Sequence, residues 1–336
     1  MSSIDMQHIA DLAGVSRATV SRALNDSPLV NERTKDKIKQ LAQEHNYVIN
    51  EAARNFRLNQ SQTVTVVMMT DPLVNQQSFD PFFMEMIASL LEALAKSELD
   101  MLVSHEPITD ATSFRNSRIY RQSLGLIVIG QGQGHEQLNA LANDKLPMVV
   151  WGVPTQGQAY YLVSTDDKQG GKQATQHLIE KGCKNIAFFG DKSSADSGLR
   201  YQGYRAALKE AELSVNPELD VTVPFVTEQS KNAINQFLDA KPQVDGIVCC
   251  SDLIAMSAIS CLQEHNLKVP DDVAVIGYDG LSFTERTSPP LSTVNQDISQ
   301  CAYKLVDSLV GLINGKQVEN TLADVQLIER KSTQRN

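Results

Sequence analysis

From residue 62 onward the chain alternates short apolar runs with amphipathic stretches, and few folds accept that alternation. The runs are Val64–Met69, Asp100–Ser104, Leu124–Ile129, Pro147–Trp151, Tyr160–Val163, Asn185–Phe189, Val221–Val223, Val244–Cys249 and Val273–Gly277. Between them lie stretches such as Phe82–Lys96 and Lys168–Lys181. Continuously apolar strands are buried on both faces and must be covered by helices, so the pattern predicts parallel sheets. A chain of 336 residues is long enough for two doubly wound lobes of this kind. Ligands of such folds sit outside the carboxyl ends of the strands, in the crevice between lobes.

The first 60 residues follow another rule. Ile9, Leu12 and Ala13 recur at i, i+3 and i+4, the apolar face of a short helix. Gly14 supplies a turn, because glycine reaches positive φ without steric cost. Ser16 is placed to cap a second helix, whose Val20 and Leu24 face back onto the first. Arg17, Ala18, Ser21 and Arg22 then point outward, where a major groove would lie. A third helix starts at Asn31 as its cap and runs through Ile38, Leu41 and Ala42, with Arg33, Lys35, Lys37 and Lys39 on its wet side. An ordinary helical hairpin needs neither the capped glycine turn nor two outward arginines, so a helix-turn-helix is the better reading. The polar segment Leu58–Gln62 is a linker.

Charge divides along the same boundary. Residues 1–60 hold eight Lys/Arg and seven Asp/Glu, whereas the rest hold 22 and 33. A phosphate backbone would repel the body, so only the N-terminal unit can approach DNA. That unit is barely basic, which excludes a non-specific DNA coat and makes placed contacts and dimerisation necessary. No run of ~18 apolar residues exists to span a membrane, and the N-terminus lacks the basic-then-apolar pattern of a signal peptide. A cytoplasmic location is therefore expected. Cys183, Cys249, Cys250, Cys261 and Cys301 have no metal-ligand spacing and read as reduced, packed thiols.

Several separated motifs, in order, are similar to those of the LacI/GalR family of bacterial transcription regulators. They are Val15-Ser16-Arg17-Ala18-Thr19-Val20-Ser21-Arg22, Asn46-Tyr47, Asn50-Glu51-Ala52-Ala53-Arg54, the stretch Val269 to Asp279, and Pro289-Pro290-Leu291-Ser292-Thr293-Val294. The resemblance implies an all-α helix-turn-helix headpiece at 1–48, a hinge helix and linker at 49–62, and a periplasmic-binding-protein-like α/β core of two doubly wound parallel-sheet lobes at 63–336. Lobe 1 would take about 63–163 plus 293–323, and lobe 2 about 164–292 plus 324–336, with crossings near Ser164, Ser292 and Asp324. It implies Arg17, Ala18 and Arg22 at base edges and Ser16, Thr19, Ser21 and Asn25 at phosphates. Asn50, Arg54 and Phe56 would belong to a hinge helix folding on the minor groove. Phe56 stands where the family usually has a leucine wedge, and His8 where an aspartate is common.

In the crevice the same resemblance places Arg200 of Leu199–Arg205, Phe225, the pair Ser251-Asp252 and Asp279. Leu253 departs from relatives that are polar there. Asp279 is the best single candidate, since a buried carboxylate opposite Arg200 would hold hydroxyls by charge-assisted bonds. Read from the residues themselves, Phe82 either stacks on a ligand ring or packs at a helix start. Trp151 either faces a sugar or packs the lobes, and Asp166 either accepts from hydroxyls or caps the following helix. Gly130-Gln131-Gly132-Gln133-Gly134-His135 imitates a dinucleotide fingerprint, but His135 stands where the third glycine is required. No cofactor or metal is expected, and no nucleophile or base supports an enzyme of sugar metabolism. The expected partners are a pseudo-palindromic double-stranded operator, a second copy of the chain and a small effector, a glucoside or other disaccharide in preference to a nucleobase or sugar phosphate.

Overall fold

The computed structural model describes residues 6–24, 27–45, 62–69, 80–104, 106–132, 134–225 and 227–335. It divides into two units, 1–61 and 62–336. In the first, α1 (Met6–Ala13), α2 (Arg17–Leu24) and α3 (Glu32–Glu44) enclose a small core of Ile9, Ala10, Ala13, Val20, Ala23, Val30 and Ile38. Gly14, at φ +71°, turns the chain between α1 and α2. The Ser16 hydroxyl accepts from the Thr19 amide at 3.1 Å, and Asn31 accepts from the Thr34 amide at 2.9 Å, so α2 and α3 are both capped by side chains.

Two sequence expectations for this unit need correction. Leu12 is 42% exposed, and Ala10 takes the inner position instead. The buried stripe of α1 runs through Ile9, Ala10 and Ala13, keeping Ile9 and Ala13 of the expected face, because the small Ala10 allows the close helix approach that Leu12 would not. Lys35 is buried, with only its ammonium reaching out to Glu32 at 2.7 Å. Lys37 donates to the Ala13 carbonyl at 3.0 Å and so satisfies an orphan acceptor at the end of α1.

Among the described residues the second unit contains two six-stranded sheets. Strands β1 (Thr63–Met68), β2 (Asp100–Ser104), β3 (Gly125–Ile129), β4 (Met148–Trp151) and β5 (Tyr161–Thr165) build the first lobe. Strands β6 (Ile186–Phe189), β7 (Asp220–Val221), β8 (Gly246–Cys249), β9 (Ala274–Asp279) and β10 (Ser292–Asn295) build the second. The chain then returns, with β11 (Thr321–Ala323) beside β5 and β12 (Gln326–Ile328) beside β10. The sheet orders are β11-β5-β4-β3-β1-β2 and β12-β10-β9-β8-β6-β7, and only β12 runs antiparallel to its neighbour.

Each sheet is covered on both faces. In the first lobe Leu90, Leu94, Leu305 and Leu309 pack on one side and Ile108, Phe114, Leu138 and Leu141 on the other. The second lobe closes around Phe188, Phe189, Tyr204, Ile247 and Ile276. The lobes are joined after Thr165, after Asn295 and between Ala323 and Gln326. The second junction lies beyond Ser292, because β10 stays registered with β9 as far as Asn295 opposite Asp279. Asp297 then turns the chain at φ +48° into the helix Ile298–Ile313, which packs into the first-lobe core. Among the described residues no helix is long and apolar enough to cross a membrane.

Candidate functional site

The carboxyl ends of the parallel strands converge on one cleft between the lobes. Met69 after β1, Gly130 after β3, Trp151 of β4, Asp167 after β5, Ser251 after β8, Asp279 of β9 and Gln296 after β10 all line a cavity of about 540 Å³. That is within the range of pockets that enclose drug-sized ligands. The first-lobe wall is aromatic, with the rings of Phe82 and Trp151 at 6.2 Å and inclined by 34°. Phe225 is buried on the second-lobe side.

Arg200 organises the floor. Its helix, Ala195–Glu210, crosses the helix Asp167–Glu180 at glycines. A methyl group on Gly171 would overlap the Arg200 carbonyl oxygen, and one on Gly203 the Lys168 carbonyl oxygen. This backbone approach brings the Arg200 side chain to the start of the neighbouring helix. Its Nε donates to Asp167 Oδ1 at 2.7 Å and Nη1 to the Cys250 carbonyl at 2.6 Å. Asp279 Oδ1 lies 3.7 Å and Asp196 Oδ2 3.8 Å away, and the guanidinium stacks 3.8 Å from the centre of the Tyr278 ring. A Gly171→Ala chain is expected to lose about 1–3 kcal/mol of stability, because two backbones must part. An unchanged urea midpoint would show that the helices separate freely.

A buried relay continues from this centre. Gln296 donates to Asp279 at 2.7 Å and accepts from Thr165 at 2.7 Å, joining two of the segments that cross between lobes. Burial raises the Asp279 carboxyl well above its usual range, against the pull of Arg200. Asp167 is pushed up to about 6 by burial, with Arg200 again opposing. The site thus combines an aromatic wall with a dense set of buried carboxylates around one guanidinium. It can hold a ligand with apolar faces and a rim of hydroxyls.

Of the residues singled out in the sequence, Phe82, Trp151, Arg200, Phe225, Ser251 and Asp279 line the cavity, and Asp166 and Asp252 do not. Asp166 accepts from the Gln169 amide at 2.9 Å and caps its helix, while Asp167 takes the place in the cavity. The helix starts one residue after the cap, and its first turn carries Asp167 toward Arg200. Asp252 lies wholly behind the wall, accepting from Thr293 Oγ1 at 2.6 Å and from the Leu281 amide at 2.8 Å. It braces the loop after β9. Ser251 caps the helix Asp252–Glu264 through the Ile254 amide at 3.2 Å while lining the cavity. Sequence reasoning missed Asp80, Gln131, Asp167, Asp196 and Gln296. Asp80 and Asp167 adjoin candidates that were named; nothing in the sequence marks Gln296.

In the headpiece, Arg17, Ala18 and Arg22 are exposed on the outer face of α2, whereas Thr19 and Ser21 are half-buried. Ser16 is exposed and shares a 2.9 Å hydrogen bond with Thr19. Asn25, Asn50, Arg54 and Phe56 lie outside the described residues.

Comparison with known proteins covers both units. Residues 5–50 match the family described as bacterial regulatory proteins, lacI family, and residues 175–333 a periplasmic binding protein-like domain. The HTH-type transcriptional repressor PurR of Histophilus somni is 30% identical over 336 residues, covering 97% of this chain and 98% of that protein. The HTH-type transcriptional regulator CelR of Thermobifida fusca is 31% identical over 345 residues, with 97% of each covered. The solved complex of a transcriptional regulator CelR with cellobiose superposes with a TM-score of 0.70 at 28% identity, covering 98% of this chain and 99% of that one.

Proposed function

Because the chain belongs to the LacI family of bacterial regulatory proteins, we propose that it is a dimeric operator-binding repressor released from DNA by a sugar, a glucoside or other disaccharide, bound in the interlobe cleft. The observation that carries the sugar reading is the pairing of Phe82 and Trp151 with the Arg200–Asp167–Asp279 cluster in one cavity. Sugar C–H faces pack on aromatic rings, and hydroxyls take charge-assisted bonds from carboxylates and guanidinium. The likeness to a regulator solved with cellobiose supports the same class.

The headpiece would read its operator through Arg17, Ala18 and Arg22, with Ser16, Thr19, Ser21 and Asn25 on phosphates and Asn50, Arg54 and Phe56 in a hinge helix at the minor groove. Pairing two headpieces suits a pseudo-palindromic site. The dimer face would be the outer side of the helix Pro81–Lys96 and the edge strand β2, where Met84, Leu91, Leu102 and Val103 are exposed at 41%, 55%, 37% and 39%. A monomer by sedimentation would remove that face from the reading. Coupling requires that the effector bind the off-DNA arrangement of the lobes more tightly than the on-DNA one.

A thermal-shift screen of sugars and nucleobases on the full chain tests this, followed by gel shifts on duplexes selected from a randomised pool. A disaccharide is expected to raise the melting temperature and to release the selected duplex. A nucleobase that raises it and tightens DNA binding would replace the sugar inducer by a corepressor.

A further inference from the structure

The charged groups lining the cavity are unbalanced. Asp80, Asp167, Asp196 and Asp279 all face it, and among the described lining residues Arg200 is the one guanidinium or ammonium group. Arg200 is already engaged by Asp167 and the Cys250 carbonyl, with Asp279 and Asp196 close by and Tyr278 against its face. Lys192, on the loop that ends at the cavity's Ser193, turns away to Asp220 and the Tyr201 ring. Lys168 lines a separate groove. Asp80 and Asp196 come from opposite lobes, Asp80 as the cap of the helix Pro81–Lys96 and Asp196 in the first turn of the helix Ala195–Glu210. Repulsion from Asp196 adds to burial in holding the Asp80 carboxyl up.

We infer that this cavity excludes anions, with Asp80 and Asp196 as specificity-determining residues, so that its effector is an uncharged polyol and not a phosphorylated or carboxylated one. The inference rests on the cleft being the effector site. A phosphate recruits arginine by a bidentate fork, but here Nε and Nη1 are already bonded, Nη2 faces Asp196 at 3.8 Å, and the surrounding carboxylates repel an added anion in a partly desolvated space. Even with a proton held on Asp279, three carboxylates face one guanidinium. A neutral sugar meets no such penalty, because ionised carboxylates accept from its hydroxyls.

Trp151 is the only tryptophan of the chain and lines this cavity, so its fluorescence reports the local field without knowledge of the effector. On the full-length protein, iodide quenching of Trp151 is expected to fall roughly fivefold below caesium quenching when each is taken relative to free N-acetyltryptophanamide, with neutral acrylamide as the reference. The chain as a whole is acidic, so the deciding measurement is a double variant. Asp80→Asn with Asp196→Asn, in which Asn keeps the helix cap, should raise iodide quenching and leave acrylamide quenching unchanged. In parallel, cellobiose and adenosine are compared with cellobiose 6-phosphate and adenosine monophosphate by thermal shift. Any phosphorylated member is expected to bind about a hundredfold more weakly than its neutral parent. Iodide quenching that is unmoved in the double variant, or a phosphorylated compound that stabilises the protein as well as its parent, overturns the inference. If no sugar binds while iodide exclusion depends on the two aspartates, the sugar reading falls and anion exclusion stands.

Discussion

Arg200→Ala is expected to destabilise the two-lobed unit by about 3–5 kcal/mol near pH 8, because it strands two buried carboxylates without their counter-charge. Asp167 and Asp279 are 4% and 6% exposed, so water cannot substitute for the guanidinium. The loss should shrink on acidification. In the intact protein Asp167 is already raised to about 6, above the ordinary carboxylate value of 3.8, so the folded state holds this proton more tightly than the unfolded chain. A raised acid of this kind contributes stability below about pH 4, and that contribution is lost as pH climbs through the folded value. Without Arg200 both carboxyls should rise further, and the variant should recover most of its deficit near pH 5. Urea titrations of both proteins at the two pH values provide the measurement. A deficit of equal size at both would mean that Arg200 acts by packing on Tyr278 and not by pairing. Arg200→Lys should not restore effector binding, since a point charge cannot reproduce the fork to Asp167 and Cys250.

The second large effect belongs to the other unit. Arg22 is exposed on α2, so Arg22→Ala should change stability by no more than about 0.5 kcal/mol. An arginine bidentate to guanine discriminates by about 1–3 kcal/mol. A dimer losing both copies should therefore bind its selected duplex about thirtyfold to twenty-thousand-fold more weakly. Binding to random duplex should fall much less, as only one phosphate-directed charge per headpiece is lost. Effector affinity should not move. Gel shifts with selected and scrambled duplexes decide the matter: equal losses on both would make Arg22 a phosphate contact.

Local patterns carried much of the architecture. Apolar runs of four to six residues can bury both faces only as covered parallel strands, and the two six-stranded sheets follow from that. The headpiece was legible through Gly14, the Ser16 cap and the spacing of Val20 and Leu24, all of which act within a few residues. Its errors were Leu12, where Ala10 takes the buried place beside Ile9 and Ala13, and Lys35, whose stem is buried while its ammonium pairs with Glu32 of the same helix.

At the cleft, residues recognisable by motif, such as Arg200, Phe225 and Asp279, are brought together in the cavity. Gln296 carries no local signal and Asp167 only that of its neighbour Asp166, since each matters through a partner remote in sequence: Arg200 for Asp167, Thr165 and Asp279 for Gln296. The exchange of Asp166 for Asp167 shows the limit most directly. The sequence determines that a carboxylate follows β5 and that one caps the helix. Which of the two neighbours turns into the cleft depends on how closely Gly171 and Gly203 let two helices cross, and that distance exists only in the folded chain.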